Sequence, residues 1–138
     1  MRYAALVLLV LPPFAYGARH DAPDFVRSRL LDVAGREPVS CGEVPLGDKR
    51  TEAIACAREV SRSGKAFWVA FQLRSTDSYL WEGAAGDGRG GYWRIFYDSD
   101  ITGGGGGESL YSFSQCLRLR FRRFGESVVK CSEMRDEN

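Results

Sequence analysis

The sequence predicts an α+β domain in which a helix packs on a four- to five-stranded antiparallel meander sheet, a cystatin-like arrangement. Two observations carry this reading. A stretch from about Lys49 to Ser63 keeps Ala53, Cys56, Ala57 and Val60 on one helical face, and from Ala66 the apolar period changes from helical to two. A third bears on the environment: four cysteines follow an apolar leader, so the domain is expected to be cross-linked outside the cytoplasm.

The chain opens with Arg2, the apolar run Ala4 to Leu11 and the small residues Ala15 and Gly17, the pattern of a signal peptide over residues 1–17. The run is too short to span a bilayer, so no membrane span is expected in the mature chain, and the product should be secreted or periplasmic. Loss of Arg2 from the 19 basic residues leaves them equal in number to the 18 acidic ones. No bulk field then steers the protein toward nucleic acid, which is not expected as a partner. Residues 18–138 suffice for a single domain with a core.

Residues 18–47 read as an N-terminal extension. Val26, Leu30 and Val33 mark a short helix from Pro23 to Ala34 ending at Gly35, and prolines and glycines make Arg36 to Gly47 a connecting loop anchored by Cys41. The α+β domain proper is expected over 48–138. Asp48 is the candidate N-cap of its helix and Gly64 the stop. In the first strand Phe67, Val69, Phe71 and Leu73 point one way and Trp68, Ala70, Gln72 and Arg74 the other. Further strands are expected at Ser78–Ala84, Tyr92–Tyr97, Leu110–Phe121 and Ser127–Lys130, joined by glycine-rich turns.

Cys41, Cys56, Cys116 and Cys131 allow three connectivities, and chain locality favours Cys41 with Cys56 and Cys116 with Cys131. The spacing contains no CxxC pair, so zinc-ribbon and thioredoxin-type chemistry lack support. Ala66–Phe67, Asp77–Ser78 and the run Tyr97 to Asp100 leading into Thr102, Gly103 and Gly104 resemble an uncharacterised family of small exported bacterial α+β domains. The resemblance spans roughly Cys56 to Cys116. It implies a bacterial exported domain with no assigned activity, and it transfers no catalytic residue.

Little of the sequence suggests catalysis. Gly86 to Gly91 satisfies the GxGxxG dinucleotide pattern, but the expected strand at Tyr92 replaces the helix N-terminus that pyrophosphate needs. Asp98 and Asp100 lie before a glycine-rich loop, where a hard cation or a carboxylate-based hydrolase would place them. A catalytic triad is opposed by the single histidine, His20, near the N-terminus. If cleavage makes Ala18 the first residue, the amine of Ala18, the amides of Arg19 and His20 and the imidazole form a Cu(II)-binding order.

Two groups suggest binding instead. Trp68, Trp81, Tyr92 and Trp93 fall on successive strands and would form a stacking platform on whichever sheet face lacks the helix. Arg118, Arg120 and Arg122 alternate with Leu117, Leu119 and Phe121, giving one basic strand face. The function expected is therefore an exported, non-enzymatic binding or inhibitor-like module for a protein, peptide or glycan, without a cofactor. The alternatives are a secreted hydrolase using the loop carboxylates and a structural envelope component.

Overall fold

A computed structural model describes residues 20–105 and 107–133. The expected signal segment and the Ala18 and Arg19 positions lie outside them. The chain forms helix α1 (Asp24–Ala34), strand β1 (Val39–Val44), helix α2 (Thr51–Arg62) and strands β2 (Ala66–Leu73), β3 (Leu80–Asp87), β4 (Tyr92–Asp98), β5 (Leu110–Phe121) and β6 (Val129–Glu133). The strands make one sheet in the order β1-β2-β3-β4-β5-β6.

The α+β class holds, but the sheet has six strands and is mixed. β2 to β6 form the antiparallel meander, whereas β1 runs parallel to β2, with Val39 opposite Phe67 and Val44 opposite Phe71. The stretch Arg36–Gly47, expected as a loop, thus contains an edge strand. Its prolines lie outside the paired residues, at Pro38 and Pro45, where a missing amide costs the ladder nothing. Because α2 follows β1 and precedes β2, the parallel pair has the helical crossover that such pairing requires.

Both faces of the sheet are covered. Phe67, Val69, Phe71 and Leu73 join Ala53, Ile54 and Ala57 of α2 in one core, and Trp68 and Ala70 join Val26, Leu30 and Ala34 of α1 in another. Since alternate strand residues point to opposite faces, the two helices lie on opposite sides of β2. Gly83 shows how closely α1 approaches: a Cβ there would sit 2.7 Å from Leu30 Cδ1 and 2.8 Å from Ile95 Cγ2. The α2 face consists largely of small residues as expected, but its N-cap is Arg50, without a side-chain cap hydrogen bond, rather than Asp48.

Disulfides join Cys41 to Cys56 and Cys116 to Cys131, each across 15 residues, as chain locality predicts. The first fastens β1 to α2 and the second β5 to β6. Loops of this length stabilise by about 3 kcal/mol each in the chain-entropy view.

The sheet also curls. Val128 and Val129 are buried in the α2-side core with Phe121, and their amides reach a carboxylate on β3, three strands away in the sheet order. A bulge between Cys116 and Arg118 accompanies the curl. Before it, Phe113 packs toward α1; after it, Leu119 and Phe121 pack toward α2. The alternation expected from Leu117 to Phe121 is therefore offset, and Leu117, placed by its spacing on the apolar face, is 61% exposed.

Candidate functional site

The four aromatic residues expected to form a platform do not form one. Trp68 and Trp81 are core residues beneath α1, at 8% and 0% exposure. Tyr92 packs against the other core and accepts a hydrogen bond from Ser61 Oγ at 3.2 Å, while Trp93, one residue on, points to the opposite face. The expectation failed because it assumed one helix on one face. The exposed aromatics lie elsewhere: Phe25 of α1 meets Tyr97 and Tyr111 edge-on, with ring centroids 4.9 and 5.6 Å apart. Phe25 and Tyr111 are exposed large apolar residues, and their polar neighbourhood in the sequence gave no reason to group them.

Glu82 carries the main polar network of the interior. It sits at 0% exposure on β3, and its Oε1 accepts from Arg94 Nε at 2.9 Å and Nη2 at 2.6 Å. Ser127 Oγ donates to Oε1 at 2.9 Å, and the amides of Val128 and Val129 donate to Oε2 at 2.7 and 2.9 Å. The carboxylate is thus paired and saturated, the condition under which a buried charge is tolerated. It pins the β5–β6 turn over the sheet, and with its lone pairs engaged it is a fastening rather than a reactive group.

Asp100 is likewise engaged. Its Oδ1 accepts from the amide and hydroxyl of Thr102 and the amide of Gly103, and Oδ2 accepts from the amide of Gly105 at 2.8 Å. The Thr102 hydroxyl, followed by the loop amides, holds the carboxyl below the usual carboxylate range, outweighing partial desolvation. Asp98 accepts from the Asp100 amide. These carboxylates organise the loop that follows, as Asx turns do. Among the described residues no group of three or more histidine, cysteine, aspartate or glutamate side chains is placed to hold a metal.

A depressed folded pKa stabilises above the unfolded value, near 3.9 for aspartate, and the contribution disappears as pH falls through the folded value. Acidification below the unfolded value is therefore expected to erode this hold progressively, and the loop is released only once pH falls below the depressed folded value. Asp100→Asn, which replaces Oδ2 or Oδ1 by an amide donor, is expected to speed hydrogen exchange at Gly105 or at Thr102 and Gly103 at neutral pH. Unchanged exchange at all three amides would contradict this role for the carboxylate.

His20 begins the described residues. Its amide donates to Gln72 Oε1 at 3.1 Å and its ring lies 4.1 Å from that of Tyr79. Cu(II) ligation through the His20 amide would have to displace that hydrogen bond. The Gly86–Gly91 motif is a β3–β4 hairpin turn in which Asp87 Oδ1 accepts from the amides of Arg89 and Gly91, and a strand follows it.

Arg118 and Arg120, with Arg122, do lie together on the exposed side of β5, opposite Leu119 and Phe121 in orientation. Lys130 of β6 stands directly across from Arg120. Between α2 and the end of β5 a groove of about 360 Å³ is lined by Arg58, Ser61 and Arg62 of α2 and by Leu119, Arg120 and Phe121. Arg58 donates to the Phe121 carbonyl at 2.5 Å, which fixes α2 against the end of β5. Among the described residues no hydrogen bond or ion pair engages the side chains of Arg62, Arg118, Arg120, Arg122 or Lys130. The sequence revealed the β5 stripe; Arg58, Arg62 and Lys130 join it only through the fold.

No protein-family profile, curated protein or solved structure matches the chain.

Proposed function

We propose that this protein is an exported, non-enzymatic binding module of the kind its leader and disulfides suggest, and that it takes an anionic partner on the basic surface formed by α2, β5 and β6. The reading includes the bacterial export family and the cystatin-like unit, here β2 to β6 with α2 across the curled face. One observation carries it. From Leu110 to Ser132 five basic residues stand against the single acid Glu126, although acids and bases are nearly equal over the whole chain, and the fold adds Arg58 and Arg62 to them. Arg120 and Lys130 sit directly opposite, an arrangement that costs stability unless an anion comes between or near them. Guanidinium forks suit phosphate, sulfate and carboxylate groups.

Calorimetric titration with inorganic tripolyphosphate tests the proposal. Binding is expected to weaken with added salt, and reversal of the exposed pair Arg62→Glu and Arg120→Glu is expected to weaken it by about tenfold or more. Equal affinity for the wild type and the double variant would refute the assignment.

A further inference from the structure

The tip of the β5–β6 hairpin has a property that an anion site alone does not explain. Phe124 is 87% exposed there, more than any other large apolar side chain among the described residues. Arg122 and Arg123 immediately precede it, and Glu126 is the one acid of the turn. Arg120 and Lys130 form the next rung behind, Arg118 the one after that, and Leu117 stands out at the bulge. At about 3.4 Å per strand residue, Arg118 to Arg122 covers roughly 14 Å along the hairpin. The end of the hairpin is graded: an apolar ring at the tip and cations behind it.

An anionic bilayer surface has the matching gradient. Its acyl boundary accepts an aromatic ring, the lipid phosphates lie just above, and the negative surface potential extends about a Debye length into water. A soluble polyanion would satisfy the guanidiniums but leave Phe124 in water. The fold holds the hairpin firmly for such a task, because Cys116–Cys131 joins its strands and the Glu82 carboxylate grips the amides of Val128 and Val129 beside the turn. We propose that the β5–β6 hairpin docks this domain on an anionic phospholipid membrane, with Phe124 entering the interface and Arg118, Arg120, Arg122, Arg123 and Lys130 meeting the lipid phosphates. This rests on the anion-binding reading above and names its partner.

Co-sedimentation with vesicles of phosphatidylcholine mixed with phosphatidylglycerol, and of phosphatidylcholine alone, tests it beside the tripolyphosphate titration. The mature chain, residues 18–138, is expected to sediment with the mixed vesicles and not with pure phosphatidylcholine. Phe124→Ala should weaken that binding by about tenfold, the loss expected for one aromatic leaving an apolar environment. Arg120→Glu with Lys130→Glu should weaken it by more than about tenfold. All three positions are exposed, so unchanged melting temperatures will show that folding is intact. Tripolyphosphate binding without vesicle binding, or vesicle binding indifferent to Phe124→Ala, overturns membrane docking while leaving the anion reading in place. Failure of both ligands to bind overturns both.

Discussion

Glu82→Ala is expected to lower the stability of the domain by about 3–5 kcal/mol, the cost of breaking a buried ion pair from one side. For a domain of this size that corresponds to a fall in melting temperature of roughly 10–20 °C. The magnitude follows from what the carboxylate holds. Its removal leaves Arg94 without its ion-pair partner and strips the Val128 and Val129 amides, which lie in the buried α2-side core, of their acceptor. Glu82→Gln keeps the shape and one acceptor oxygen but places an amide donor among donors, and a smaller loss of about 1.5–3 kcal/mol is expected. Thermal unfolding of the three proteins checks the order. A Glu82→Ala variant as stable as the wild type would show that the curl of the sheet does not depend on this fastening.

Trp81→Ala is expected to cost about 3–5 kcal/mol, and Trp68→Ala a similar amount, because both truncate core aromatics beneath α1. Trp81→Phe is expected to behave differently. The Trp81 indole Nε1–H is buried with no hydrogen-bond partner among the described residues, a condition that costs about 1–3 kcal/mol in the wild type. Phenylalanine removes that donor while leaving a modest void, so the two effects offset and the change should stay below about 1.5 kcal/mol. Denaturant unfolding at constant m-value measures all three. A Trp68 or Trp81 truncation that left stability unchanged but abolished ligand binding would return these residues to a binding surface.

Local signals were legible and tertiary ones were not, and the residues show why. The strand period at Ala66, the turn glycines and the 15-residue cysteine spacings are local, and β2 to β6 and both disulfides follow them closely. The second layer is hinted at in β2 itself: of Trp68, Ala70, Gln72 and the following Arg74, which alternate with the α2-side core residues, Trp68 and Ala70 are apolar and pack under α1, as a strand covered on both sides requires. β1 escaped because Gly42 and the flanking Pro38 and Pro45 suggested irregular chain, and only its pairing with β2 makes it a strand. The offset in β5 comes from one bulge, which no alternating pattern encodes.

The candidate surface divides the same way. Arg118 and Arg120 could be read from the stripe, since alternating charge on a strand is a local pattern. Arg58 and Arg62 carry no local signal that links them to β5, and they reach it only because α2 lies against Phe121. Phe124 sits in a turn, where an apolar residue carries no periodic signal.

Nuclear magnetic resonance mapping of the tripolyphosphate complex tests the central claim most directly, because it locates the ligand without altering the protein. Amide shifts are expected to concentrate at Arg58–Arg62 of α2, at Leu117–Phe121 of β5 with the following Arg122, and at Val129–Ser132 of β6, with Trp68, Trp81 and the Asp98–Gly105 loop unmoved. Shifts centred on that loop or on the Phe25, Tyr97 and Tyr111 cluster, with the β5–β6 amides unmoved, would contradict the account.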